Sequence, residues 1–336
     1  MQRTGTAPFP PSLLEELDAL SRDGLHRRAT LAPFTSFRIG GPADFLMIIH
    51  RREDLQRTLA ILHQSRAPYL LLGGGSNILV SDAGVRGLVI INQCRRIYWP
   101  ENAHTEVLDV RVESGVLLAG FARESIQRGL AGLSWAVSIP GTVGGAIVGN
   151  AGAHGGDIAS VFLEAEVWHR GRIEHWPHNA MSFAYRQSIL KQDWPPSAQP
   201  PVILSAVFRL QRDVEGQAAA KAARHIAHRR RTQPTDKSAG SIFRNPPDDY
   251  AGRLIEAAGL KGRCIGQACI SEKHANFFVN QGQATAADLM ALMNLARYEV
   301  WRQFHVLLEP EIRLIGDWSN GPHIWTPGNQ KRVDAP

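Results

Sequence analysis

The chain has 336 residues, of which 44% are hydrophobic and 20% charged, and its formal net charge is +6. This composition excludes the disordered and fibrous classes, and the length exceeds one ordinary core, so we expect two or three domains. No apolar run is long enough for a membrane span and no secretory h-region is visible, so we expect a cytoplasmic protein whose charge suits anionic small molecules or nucleic acid.

The first part of the chain predicts an α+β unit. Ser12 and Glu15 fit a capping box at the start of a short amphipathic helix. Apolar periodicity predicts further helices at 52–64 and 117–128. It also predicts strands at 45–49, 69–72, 87–92, 107–112, 161–169 and 202–210.

The chain changes domain near Thr232. Helices are predicted at 218–231, 248–258 and 285–304, and strands at 268–270, 277–280, 306–308 and 312–315. Thr285 and Asp288 approximate a capping box at the start of the long helix. We therefore divide the chain into an N-terminal extension (1–33), a cofactor domain (34–212), a C-terminal domain (213–320) and a tail (321–336).

A glycine-rich stretch between the predicted strands carries the strongest functional signal. Residues 132–156 contain eight glycines among twenty-five positions, a composition that disfavours a conventional helix or strand. A second cluster, Gly73, Gly74, Gly75, Ser76 and Asn77, directly follows a predicted strand. Backbone N–H groups in such loops can bind phosphate oxygens. Neither cluster fits the Rossmann or P-loop pattern, so we predict a phosphate-bearing cofactor held by another architecture.

The cysteines predict neither a disulfide framework nor a zinc site. Cys94, Cys264 and Cys269 show no spacing that is typical of either.

Several motifs together resemble the UDP-N-acetylenolpyruvoylglucosamine reductase family. They are the glycine loops, SAGSIFRNP at 238–246, SEKHANFFVN at 271–280 and LEPEIRLIG at 308–316, and they occur in family order. The resemblance implies an α+β fold with a noncovalent FAD in a vanillyl-alcohol oxidase (PCMH) type domain of two subdomains. A C-terminal α+β domain would bind the UDP-sugar. The implied FAD-binding residues are Gly73, Gly74, Gly75, Ser76, Asn77, Ser138, Ile139, Gly141, Thr142 and Gly145.

The same resemblance implies the reaction and its catalytic residues. NADPH reduces FAD, and the enolpyruvyl group of UDP-N-acetylglucosamine enolpyruvate is then reduced to UDP-N-acetylmuramate for peptidoglycan synthesis. By motif, Ser241 is the proton donor, while Arg186 and Glu311 stabilise the substrate carboxylate. A guanidinium suits that task because it stays protonated and grips a carboxylate with two parallel hydrogen bonds.

Substrate contacts are implied for Tyr185, Asn245, Lys261 and His274, with Lys261 as partner of the diphosphate. The chain departs from some family members in two ways. Gln233 stands near the position where they have a lysine, and the segment between Arg186 and Ser241 lacks the length of a tyrosine-bearing lid. The chain is therefore similar to the lidless, type II form, and we expect a monomer.

Two other functions stay open at this point. One is an oxidase or dehydrogenase of the same FAD superfamily, which would react rapidly with oxygen and would not need Ser241. The other is a colourless nucleotide-binding or nucleic-acid-binding module, for which the positive charge and Arg229, Arg230 and Arg231 are the support.

Overall fold

A computed structural model of the chain describes residues 9–101, 105–192 and 199–327. It divides into two compact units, each built from three segments. Unit 1 comprises Met1–Arg27, Phe45–Gly74 and Gly87–Arg229, and unit 2 comprises Arg28–Asp44, Gly75–Arg86 and Arg230–Pro336. Most of the predicted tail, from residue 328 onward, lies outside the described residues.

The described residues form seven α-helices and seventeen strands. The α-helices are α1 Pro11–Leu20, α2 Arg52–Ser65, α3 Leu118–Gln127, α4 Val143–Val148, α5 Ala218–Thr232, α6 Ala251–Ala257 and α7 Ala286–Phe304. The first strands are β1 His26–Thr30, β2 Pro42–Ile49, β3 Tyr69–Leu72, β4 Ile78–Val80, β5 Val85–Asn92, β6 Ile97–Tyr98, β7 Val107–Glu113 and β8 Leu130–Ala131. The remaining strands are β9 Gly152–Ala153, β10 Gly156–Asp157, β11 Phe162–His169, β12 Arg172–Pro177, β13 Val202–Arg212, β14 Cys264–Ile265, β15 Ala268–Ile270, β16 Phe278–Asn280 and β17 Arg313–Ile315.

Two larger sheets include the strands of unit 1. One has the strand order β1-β2-β5-β3, and the residues of β3 and β5 that pair in parallel belong to unit 1. The other has the order β12-β11-β13-β7-β6, and β13 pairs antiparallel with both β11 and β7.

Strand β13 supplies two separate hydrophobic cores of unit 1. Ile203 lies in a core with α3 and α4, whereas its neighbours Val202 and Leu204 lie in a core with α1 and α2. Successive side chains of a strand point to opposite faces, so the start of β13 can serve both cores.

Unit 2 is built around α7. Its buried face, which includes Leu289, Met293 and Val300, packs in one core with α6 and the sheet β14-β15-β16. The Thr285–Asp288 capping box is present, which confirms that prediction. Asp82 adds a second cap, because its carboxylate accepts hydrogen bonds from the N–H groups of Ala286 and Ala287 at 2.8 and 2.9 Å.

Several local predictions are wrong. Helix α1 begins at Pro11, after Pro10, without a side-chain cap, so Ser12 lies inside the first turn. No strand forms at 306–308, because His305 ends α7 in the left-handed region and the Leu308 carbonyl accepts a hydrogen bond from Arg297. Helix α6 starts later than predicted, since Asp248 has a φ of 60° that a helix excludes.

The glycine-rich stretch also differs from its prediction. It contains a helix, α4, whose first turn is capped by Thr142: the N–H of Gly145 donates to Thr142 Oγ1 at 3.4 Å. Close contacts on both sides of α4 offset the entropy that its glycines lose.

The sequence did not predict the disulfide between Cys264 and Cys269. The two residues lie directly opposite each other in the β14–β15 pair, with Cα atoms 4.1 Å apart. The two cysteines are five residues apart in sequence, so the disulfide links the two strands of a short hairpin. Cys94 is buried as a free thiol. Among the described helices, none has the length and apolar character that crossing a membrane requires.

Candidate active site

The two glycine clusters meet in unit 1. A Cβ on Gly73 would collide with the side chain of Thr142, and one on Gly74 would lie 2.9 Å from the Cα of Gly141. Only glycine allows this approach, so the loop after β3 and the loop before α4 present their backbones side by side. The N–H groups of Val143 and Gly144 are held by the carbonyls of Val116 and Ser114 at 2.8 Å each.

Ser138, Ile139 and Gly145 flank this contact in the same unit. Ser138 and Ile139 are half-buried and Gly145 is exposed, while the N–H of Ile139 donates to the carbonyl of Ala136 at 3.0 Å. These predicted FAD-binding residues therefore form one continuous loop that leads into α4.

The rest of the first glycine cluster belongs to unit 2. Gly75 has a φ of 56° and packs against the backbone of Phe34 and Thr35, and its carbonyl accepts from the N–H of Ser36 at 3.0 Å. Ser76 is half-buried. Asn77 Nδ2 donates to the carbonyl of Glu311 at 3.2 Å, and the Asn77 carbonyl accepts from Arg313 N–H at 3.0 Å.

Arg186 lies in a tight turn of unit 1. Ala184 and Gln187 exchange hydrogen bonds at 3.0 and 3.1 Å, and Arg186 has a φ of 54°. Its guanidinium carbon lies 5.5 Å from the ring centroid of Tyr185, which is 64% exposed.

The turn is attached to the glycine-rich stretch. Asn150 Nδ2 donates to the Ala184 carbonyl at 3.0 Å, and Ser188 Oγ donates to the Val148 carbonyl at 2.7 Å. Because Val148 ends α4, the position of Arg186 is coupled to the loop that begins at Ser138.

Ser241 and Glu311 are brought together in unit 2. The N–H of Glu311 donates to the carbonyl of Ile242 at 2.7 Å, and the N–H of Ile242 donates to the carbonyl of Asn276 at 2.9 Å. Ser241 also pairs with Phe277 in an antiparallel bridge. The segment that follows Ser241 is thus bordered on both sides by backbone hydrogen bonds.

Asn276 fixes this segment with its side chain. Its Oδ1 accepts from the N–H of Phe243 at 2.9 Å, and its Nδ2 donates to the carbonyl of Phe243 at 2.8 Å. The N–H and the carbonyl of Phe243 are both buried, so the side-chain amide of Asn276 satisfies a donor and an acceptor that would otherwise have no hydrogen-bond partner. The sequence analysis did not single out Asn276, although it lies inside the 271–280 motif.

The predicted substrate-side residues of unit 2 all contact α6. Asn245 Oδ1 accepts from the N–H of Ala251 at 3.2 Å, and Lys261 Nζ lies 2.7 Å from Glu256 Oε1. His274 packs against Gly252, where an added Cβ would lie 3.1 Å from its Cε1. Burial, with a smaller contribution from Lys261, lowers the pKa of His274 and favours the neutral imidazole.

Gln233, which stands near the position of a lysine in some family members, belongs to unit 2. Its Oε1 is buried and accepts no hydrogen bond from the described residues. Among those residues, no group of three or more His, Cys, Asp or Glu side chains could hold a metal ion.

Comparison with known proteins decides the family. Residues 233–315 match the family model of the UDP-N-acetylenolpyruvoylglucosamine reductase C-terminal domain, and residues 43–172 match an FAD binding domain. UDP-N-acetylenolpyruvoylglucosamine reductase 2 of Symbiobacterium thermophilum is 45% identical over 94% of this chain and 99% of its own length. The chain belongs to the UDP-N-acetylenolpyruvoylglucosamine reductase family.

Further relatives agree with this assignment. The reductase of Chloroflexus aggregans is 44% identical over 84% of this chain and 94% of its own length. The crystal structure of the reductase MurB from Thermus caldophilus superimposes with a TM-score of 0.71 at 34% identity, covering 86% of this chain and 98% of the other. The predicted α+β fold, with an FAD-binding domain followed by the family's C-terminal domain, is confirmed.

The residues present fit an FAD. The matched FAD-binding domain contains both glycine clusters, and their contact in unit 1 is a backbone cradle that a Cβ would fill. Loops without side chains let a ligand approach the backbone closely, which suits the phosphate groups of the cofactor.

Proposed function

We propose that the chain reduces UDP-N-acetylglucosamine enolpyruvate to UDP-N-acetylmuramate with NADPH as the reductant. The observation that carries this proposal is the family membership, with near-complete coverage of reductases at up to 45% identity. The pairing of the Ser241 segment with Glu311 in unit 2 supports it. Bound FAD would supply hydride, received from NADPH, to the methylene carbon of the enolpyruvyl group.

Arg186 is proposed to bind the carboxylate of the substrate. Hydride addition leaves negative charge that the neighbouring carboxylate must accept, and a planar guanidinium can meet both carboxylate oxygens. The left-handed turn fixes the backbone from which Arg186 extends, and exposed Tyr185 is proposed to contact the substrate beside it.

Ser241 is proposed to deliver the proton to the carbon next to the carboxylate. A serine hydroxyl is a weak acid, so it needs neighbours that orient it and stabilise the charge left behind. The paired segments hold the Ser241 backbone, and Glu311 is proposed to hydrogen-bond the substrate carboxylate or to orient Arg186. Lys261, Asn245 and His274 are proposed to bind the UDP-sugar around α6.

The function is tested by a two-step reaction in the absence of oxygen. We expect the purified chain to be yellow, to release FAD when denatured, and to lose its oxidised flavin absorbance when NADPH is added. Adding UDP-N-acetylglucosamine enolpyruvate should then restore that absorbance with formation of UDP-N-acetylmuramate. A folded, reconstituted protein without flavin would contradict the proposal. Rapid reoxidation by oxygen with no response to the UDP-sugar would favour an oxidase of the same superfamily.

The cellular setting and assembly follow from the same proposal. A reductase of peptidoglycan precursor synthesis would act in the cytoplasm, and we propose that the chain acts there as a monomer, with no nucleic-acid or membrane partner.

A further inference from the structure

Three imidazoles meet in unit 1, and none of them belongs to a residue assigned to catalysis. His154 occupies the tip of the β9–β10 hairpin, and its ring stacks on that of His225 in α5 with centroids 4.1 Å apart and planes 14° apart. His228, one turn further along α5, meets the His154 ring edge-on at 5.5 Å. We call His154, His225 and His228, with the adjacent Arg224 and Arg229, the histidine cluster.

The hairpin tip holds His154 in an uncommon conformation. Its φ is 53°, in the left-handed region that side-chain-bearing residues rarely adopt. The next residue, Gly155, has a φ of 83°, and a Cβ added there would meet no atom within 4 Å. The imidazole is thus presented beside open space.

The charges that act on the His154 and His225 rings from the described residues are positive. Burial lowers the pKa of His154 first, and His225, His228 and Arg229 lower it further. Burial, Arg224 and His228 act on the pKa of His225 in the same direction. Asp157, the carboxylate of the hairpin, instead accepts hydrogen bonds from Asn150 Nδ2 and the N–H of Ser160 at 3.2 and 3.0 Å.

Arg229 adds a fixed charge to the cluster. Burial lowers the pKa of its guanidinium, and no carboxylate of the described ranges forms an ion pair with it. A half-buried cation beside the His154 imidazole is electrostatically unfavourable until an anion neutralises it. A metal ion is not the expected ligand, since the described residues contain no metal-binding group of side chains.

We propose that the histidine cluster is a proton-linked binding site for a phosphate group of a nucleotide ligand. This rests on the proposed function, which gives the chain two phosphate-bearing ligands, NADPH with its 2′-phosphate and diphosphate, and the UDP-sugar with its diphosphate. The imidazole N–H groups of His154 and His225 and the Arg229 guanidinium donate hydrogen bonds to the phosphate oxygens. The anion stabilises the protonated imidazoles, so that binding takes up protons.

The sign of the pH dependence follows from this linkage. In the free protein the pKa values of His154 and His225 are lowered, which favours the neutral form of both rings. A bound phosphate raises those pKa values, and affinity therefore falls as pH rises above the pKa of the free rings. The fall is about tenfold per pH unit for each proton taken up. A phosphate monoester, with a second pKa of about 6, stays mainly dianionic over most of this range.

Titration calorimetry on the FAD-loaded protein tests the proposal. The probes are NADP⁺, NAD⁺ and UDP-N-acetylglucosamine, measured at about pH 6.5 and about pH 8 in two buffers of different ionisation enthalpy, which reports proton uptake. The variants are His154→Asn, which retains a residue tolerant of the left-handed region, and the double substitution His225→Gln with His228→Gln. His175→Gln is the matched control, because His175 is an exposed histidine of unit 1 outside the cluster.

We expect both cluster variants to weaken binding of the responsible ligand about tenfold or more at the lower pH and to lose proton uptake. A loss confined to NADP⁺, with NAD⁺ unchanged, identifies the 2′-phosphate, and a loss for UDP-N-acetylglucosamine identifies its diphosphate. The control should match the unsubstituted protein.

Unchanged affinity and proton uptake for all three probes would overturn the site, as would variants that lose only thermal stability. Calorimetry measures binding without turnover, so failure of the phosphate site is distinguished from failure of the proposed reductase function. That function fails if the unsubstituted protein does not convert the enolpyruvyl substrate, whatever the cluster binds.

Discussion

The two units hold their proposed catalytic residues by opposite means. In unit 1, Arg186 extends from an isolated turn with a φ of 54°, attached to α4 by the side chains of Asn150 and Ser188. In unit 2, Ser241 begins a segment whose backbone pairs with 276–277 on one side and with Glu311 on the other. The turn is joined to the rest of its unit by side chains, whereas the segment is bordered by backbone hydrogen bonds, to which the side chain of Asn276 adds two more.

This difference determines whether the effect of a substitution reports the chemistry of the residue or the packing around it. Replacing Ser241 leaves the hydrogen bonds of its segment in place, so the resulting loss measures chemistry. Replacing residues near the Arg186 turn changes the contacts that shape unit 1, so charge, geometry and packing must be separated by controls.

The largest effect is expected at Ser241. Ser241→Ala removes the proposed proton donor but retains the backbone pairing, so reduction by NADPH should proceed at nearly the normal rate. Reoxidation by the enolpyruvyl substrate should slow by about 10²–10⁴-fold, the usual cost of losing a proton donor. Stopped-flow absorbance of the flavin measures both steps.

Ser238→Ala is the control for that experiment, since it removes a hydroxyl from the same motif without touching the paired segment. It should reoxidise at the normal rate. Unimpaired reoxidation of Ser241→Ala would remove Ser241 from the mechanism and leave its segment with a structural role only.

A smaller effect is expected at Arg186. Arg186→Lys retains the charge but loses the two-pronged grip on the carboxylate, so the hydride-transfer rate should fall about 10²-fold, or about 3 kcal/mol. Binding of the substrate to the oxidised protein should weaken much less, because the interaction strengthens as charge develops. Titration of flavin absorbance and single-turnover reoxidation separate the two.

Arg170→Lys provides a matched control, because Arg170 also lies in a turn with positive φ, at 51°, and is exposed. It should leave both measurements unchanged. If Arg186→Lys weakens binding and hydride transfer equally, Arg186 acts as a docking residue.

The smallest effect is expected from the glycine contact of unit 1. Gly73→Ala places a Cβ against Thr142, and such overpacking should cost about 2 kcal/mol of unfolding free energy and lower the FAD content. Denaturant unfolding and flavin release measure the two effects. Gly120→Ala in α3 is the control, because a Cβ there has room, 3.8 Å from Leu117 Cβ, and should stabilise by about 0.5–1 kcal/mol. A Gly73→Ala protein as stable and as rich in FAD as the unsubstituted one would show that the loop shifts freely.

The sequence predicted the periodic elements well because their side chains carry the pattern. The strands around 69–72, 87–92 and 202–210 and the helix from Thr285 are confirmed, since burial on one or both faces is visible in their residues. Strand β12 was missed, because its alternation includes Glu174, His175 and Trp176 and resembles an exposed loop.

Features fixed by distant contacts could not be predicted. Nothing local to 143–148 indicates a helix, because the residues that hold it, Ser114 and Val116, lie earlier in the chain. The role of Arg186 was inferred from motif resemblance alone and remains a proposal. Arg186 lies in a left-handed turn, and this backbone conformation is not revealed by the residue type. The histidine cluster joins residues some seventy positions apart, 154 and 225, and no spacing rule connects them.

Because Cys264 and Cys269 form a disulfide, the covalent structure of a purified sample depends on whether that disulfide is oxidised or reduced. All three cysteines are accounted for: two share the link and Cys94 keeps its thiol inside the protein. Material purified with a thiol reductant would gain two hydrogens and two additional alkylation sites on the hairpin next to Lys261. Samples of the same sequence that are purified with and without a reductant would therefore differ covalently. Intact-mass measurement after alkylation distinguishes them.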